Sequence, residues 1–135
     1  MMDIEDQINT IVTSFSTGLP ALLTTAGLSN FESYNSGREL KSNSIELCVY
    51  ADYSKDSTDR LERAFIVKAQ LYGIDKSPEY FDVINKYIKS NIKPESIGFT
   101  NRDSIIADFM PADRQMTSYV FFSIIFSTEL DDCEE

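Results

Sequence analysis

Apolar residues fall on both parities of the stretch Met116–Leu130. Val120, Phe122, Ile124, Phe126 and Leu130 share one parity, as the inner face of a long strand would. The other parity carries Thr117, Tyr119, Phe121, Ser123 and Ile125, where a strand facing water would be polar. Its β-branched and aromatic content argues against a helix. Such a strand either lies between two layers of its own fold or covers a partner.

Upstream, Ile4, Ile8, Ile11, Val12, Phe15, Leu19, Leu22 and Leu23 follow helical spacing behind the acidic start Asp3, Glu5, Asp6. Pro20 is expected to end or kink this helix near Thr17–Leu19, with Ala21–Ala26 a further short turn and Gly27 a stop. Residues 27–44 turn polar and read as an arm, strand-like around Phe31–Tyr34 and mobile toward Asn35–Ser44. Ile45, Leu47, Val49, Ala51 and Tyr53 then alternate with Glu46, Cys48, Tyr50 and Asp52, predicting a half-buried strand. Ser54–Asp59 is a turn cluster, and Ala64–Tyr72 forms the second strand of an antiparallel hairpin.

Ser77-Pro78-Glu79 reads as a helix start with Ser77 as the cap. Phe81, Ile84, Ile88 and Ile92 make its buried stripe, flanked by Tyr80 and Tyr87, and Pro94 ends it. A polar turn at Thr100–Asp103 precedes a strand at Ser104–Met110, and Pro111–Gln115 turns into the closing strand. Asp131–Glu135 is an acidic tail expected to fray. The expected fold is a single α+β domain over 1–135 in the order α-β-β-α-β-β. Two helices pack on one face of an antiparallel sheet of about four strands.

Composition narrows the chemistry. The chain has 135 residues and a net charge of −10, with 12 basic residues scattered among 22 acidic ones. Phosphate-held nucleic acid needs clustered Lys and Arg, so specific DNA binding is disfavoured. No run approaches the roughly 18–20 apolar residues of a membrane span, and an acidic N-terminus argues against a secretory signal. Cys48 and Cys133 are the only cysteines, an arrangement that fits a reducing compartment better than a disulfide.

With no histidine, His-dependent triads and most zinc sites are excluded. Cys48 has no evident activating partner. The acidic run Asp52, Asp56, Asp59, Glu62 lacks the glycine and alternation of a calcium loop, and Lys55 and Arg60 interrupt it. Asp103, Asp108 and Asp113 have no nameable neighbours to split their pKa values. The expectation is a protein that is not an enzyme and holds no metal and no cofactor. What remains is surplus apolar surface: Ile66, Tyr72, Tyr119, Phe121 and Ile125 either lie under a helix or form a subunit interface.

The order of elements resembles the tail terminator and neck proteins of long-tailed bacteriophages, including the lambda-type tail terminator. The residues that carry the resemblance are the apolar run Ala64–Ile74 before the acid- and Pro-started helix Ser77–Ile92, and the long aromatic strand Ser118–Leu130 near the end. The resemblance covers almost the whole chain and rests on topology and pattern, not on a sharp motif. It implies a structural subunit of a ring, commonly hexameric, that terminates the tail tube and joins it to the head. Its partners would be further copies of itself, the tail tube protein and a head-completion protein. DNA would pass through without specific binding, the acidic Asp52, Asp56 and Asp59 would face the lumen, and no membrane is involved. The location implied is the virion, with assembly in the host cytoplasm. The alternative is a small monomeric α+β binding module for a peptide or metabolite, which would show a closed apolar pocket.

Overall fold

The computed structural model describes residues 2–130; the acidic tail lies outside the described residues. The first helix, α1 (Ile4–Thr25), starts at Asp3, whose carboxylate accepts the Asp6 N–H at 2.8 Å. It runs unbroken through Pro20, against the expected end near Thr17–Leu19. Pro20 removes one N–H, but Ser16, whose carbonyl loses that donor, is on the exposed side. Leu19 and Leu23, both fully buried, hold the following turns to the core. Gly27 ends the helix as expected: it takes φ +74°, and Leu28 N–H reaches the Leu23 carbonyl at 2.8 Å. This is a Schellman cap, with Leu28 buried behind it.

The arm holds a short strand, β1 (Ser33–Ser36), which pairs parallel with β2 (Ile45–Asp56). Its remainder is tied down by hydrogen bonds. The Glu32 carboxylate accepts Ile45 N–H at 2.9 Å, and buried Glu46 accepts Lys41 N–H at 2.9 Å and the Ser33 hydroxyl at 3.0 Å. β2 pairs antiparallel with β3 (Arg60–Tyr72), with a register shift between Ala51 and Tyr53, so the hairpin extends further than Ser54–Asp59 suggested. Helix α2 (Ser77–Asn91) begins at Ser77 itself: Lys76 is the cap and makes no side-chain bond, so Ser77 sits buried inside the first turn. A 3-10 turn, Pro94–Ile97, leads into β4 (Asn101–Met110), which absorbs the expected turn Thr100–Asp103 through a register shift at Asp103. The last strand is β5 (Thr117–Glu129).

The sheet order is β1-β2-β3-β5-β4. The fold is α+β, with five strands in a mixed sheet and the order α-β-β-β-α-β-β. This corrects the expected four antiparallel strands: the polar sequence of β1, Ser-Tyr-Asn-Ser, has no alternation to betray it.

Both helices cover one face. There Leu47, Val49, Phe65, Val67, Val120, Phe122, Ile124 and Phe126 meet Ile11, Phe15, Leu19, Leu23, Tyr80, Ile84 and Ile88 in one core. The buried stripe of α2 includes Tyr80 and Tyr87, whereas Phe81 lies at its margin, stacked on Phe122 at 5.4 Å. Each tyrosine can be buried because its hydroxyl finds a carbonyl: Tyr80 donates to Ser29 at 2.7 Å and Tyr87 to Ser14 at 2.6 Å.

Candidate functional site

Strand alternation decides what the other face of the sheet carries. Reading across paired strands, one row runs Asn35, Cys48, Lys68, Phe121, Asp108, and the next runs Ser33, Glu46, Gln70, Tyr119, Met110. On the other side of the Lys68 row lie Tyr50, Ile66, Ser123 and Ile106, then Tyr53, Ala64, Ile125 and Ser104. Tyr72 pairs with Thr117 at the end of the face. Ile66, Tyr72, Tyr119, Phe121 and Ile125 therefore share the face that neither helix covers. They are partly exposed there, and Ile106 and Met110 beside them are 64% and 51% exposed. Ile106 and Met110 went unnoticed in the sequence because Ser104–Met110 has no clean alternation; the register of β4 on β5 reveals them.

Lys68 is the cation at the centre of this face. Its Nζ lies 4.8 Å from the Tyr119 ring centroid and 5.4 Å from that of Phe121, and these two rings stack at 5.8 Å. The ion pairs among the described residues both belong to Arg60, which holds Glu62 and Asp103. Lys68 and Asp108 thus take no part in an ion pair among them. Arg38 lies over Tyr50 at 4.8 Å and Lys55 over Tyr53 at 4.9 Å.

The face offers little nucleophilic chemistry. Cys48 is fully buried, and loss of solvation pushes its thiol up to about 11, so it stays protonated at neutral pH. Tyr53 donates to Glu62 at 2.7 Å. That bond raises the Tyr53 phenol to about 12 and lowers the Glu62 carboxyl, so the pair is fixed in its neutral-donor, charged-acceptor form. No group of three or more metal-binding side chains is assembled among the described residues.

Asp52, Asp56 and Asp59 are brought together only in the broad sense that all three are exposed near the β2–β3 tip. Asp56 accepts from Ser54 at 3.3 Å and Asp59 from Ser57 at 2.9 Å, local bonds that shape the tip. Clefts lie elsewhere on the surface as well. One of about 350 Å³ is lined by Gly27–Ser29, Gly73–Lys76 and Tyr80. No helix there is long and apolar enough to cross a membrane. No protein-family model and no curated protein sequence matches the chain.

Proposed function

We propose that this chain is a non-enzymatic structural subunit of a phage tail or neck, one of a ring that terminates the tail tube and joins it to the head. The observation that carries the reading is the helix-free face of the sheet. A single-layer cover of helices leaves Tyr119, Phe121, Ile125, Ile66, Ile106 and Met110 facing outward on one continuous surface. Contiguous apolar surface of this kind is what subunit contacts use. The long aromatic closing strand after α2 and β4 supports the phage assignment.

In this reading the acidic hairpin tip with Asp52, Asp56 and Asp59 faces the channel, where like charge lets DNA move without sticking. Two observations test it. The coding sequence should lie beside genes for a portal, a tube and a tape-measure protein. Purified chain, mixed with tubes assembled from that tube gene, should cap their ends as a ring in negative-stain images. Bare tube ends at saturating chain would overturn the assignment.

A further inference from the structure

The same face carries its own complement. Phe121 on β5 has Lys68 as its cross-strand neighbour on one side and Asp108 on the other. The two charges therefore flank one residue, each a single strand spacing away, about 4.8 Å. We propose that the face is covered by a second copy of this chain, packed sheet on sheet about a two-fold axis that runs along β5.

Rotation about that axis carries the β3 side of one copy over the β4 side of the other. Lys68 then lies opposite Asp108 of the second copy, and Asp108 opposite the second copy's Lys68. One row away, Ile66 comes over Ile106 of the second copy, the most exposed large apolar side chain among the described residues. Tyr119, Phe121 and Ile125 lie along the axis and meet their own counterparts. The other in-plane two-fold, at right angles to the strands, would set Lys68 against Lys68 and Asp108 against Asp108. Like-charge contacts of that kind select against it. Parallel alignment of the strands also agrees with aligned sheet packing, in which directions stay within about 30°.

The area sets the strength. With the axis along β5 and β4 at the sheet edge, only β3, β5 and β4 overlap their counterparts. About 27 Å along β5 by about 14 Å across three strands gives roughly 390 Å² per copy before side-chain relief, about 780 Å² in all. That is below the size of stable specific interfaces and implies a weak, reversible, concentration-dependent pair. The inference rests on the reading of this face as a subunit contact. A two-fold contact closes on itself, so a ring would be built from such pairs through a second surface.

Charge reversal tests it by sedimentation equilibrium of the full chain across the micromolar range. Lys68→Glu and Asp108→Lys, alone, should each weaken the pair at least about thirty-fold, because the two-fold repeats every like-charge contact. Combined, they should restore association to within about threefold of the wild type. Ile106→Asp, at an exposed edge-strand site where folding is little affected, should weaken it as well. Pairing that ignores all four variants would overturn the two-fold arrangement while leaving self-association in place. A chain that stays monomeric at every concentration yet caps tail tubes assigns the face to the tube and overturns the pairing without touching the proposed function.

Discussion

Gly18 is where α1 and α2 come closest, and replacing it weighs two opposed effects. A Cβ at Gly18 would overlap the Tyr87 hydroxyl and lie 3.0 Å from the ring atoms Cε2 and Cζ. Alanine gains about 1 kcal/mol of helix propensity over glycine. Against this, overpacking costs typically about 1–3 kcal/mol. Displacing Tyr87 also loosens its bonds to the Ser14 carbonyl at 2.6 Å and the Ser14 hydroxyl at 3.0 Å, each worth about 1 kcal/mol. The sum puts Gly18→Ala about 2 kcal/mol below the wild type, a fall in Tm of about 8 °C for a domain of this size. Tyr87→Phe alone, which removes both bonds, should cost about 2 kcal/mol. In the double variant the hydroxyl is gone, so the two changes should fall short of additivity by about 1 kcal/mol. Urea unfolding of the four proteins reads the cycle. A Gly18→Ala variant more stable than the wild type, or a cycle with no coupling, would refute the claim that glycine is held there by close approach.

Other consequences follow from single contacts. Cys48, tested in a Cys133→Ser background, should react with a thiol reagent at pH 8 only as fast as the chain unfolds, and rapid labelling of the native protein would contradict its burial. Glu46→Ala removes two charge-assisted bonds that fasten the arm and should cost about 2–3 kcal/mol in urea unfolding, with faster amide exchange at Lys41. The Tyr53–Glu62 bond sets two opposite pH dependences. The contribution of Tyr53 is whole below its ordinary 10.0 and lost as pH rises toward about 12. That of Glu62 is whole above its ordinary 4.5 and lost as pH falls through its lower folded value. The stability gap between the wild type and Tyr53→Phe should therefore be widest between about pH 5 and 9 and narrow on both sides. A gap independent of pH would show that the bond does not form.

The inner parity of β5 was legible because four large apolar residues repeat at period two, and Val120, Phe122, Ile124 and Phe126 are all buried. The β2–β3 hairpin was legible for the same reason. What escaped was held by tertiary contacts rather than by local pattern. Pro20 stays helical because Leu19 and Leu23 are anchored in the core. β1 exists because Glu32 and Glu46 fasten its flanks to β2, bonds that no periodicity announces. Tyr80 and Tyr87 enter the core because carbonyls of Ser29 and Ser14 lie within reach of their hydroxyls. On the helix-free face, the five apolar candidates could be singled out by parity alone. Their neighbours Lys68, Ile106 and Asp108 needed the strand register, since β4 lies on the far side of β5 from β3.

The central claim is that a second copy of the chain covers the helix-free face, and polar replacement at its centre tests this most directly. Tyr119→Ser combined with Phe121→Ser should leave the core residues Val120 and Phe122 in place, so thermal unfolding remains cooperative. Sedimentation velocity from a few to several hundred micromolar then compares this variant with the wild type. The account predicts a wild-type coefficient that climbs with concentration and a variant that stays at the monomer value throughout. Identical curves for the two proteins would contradict it.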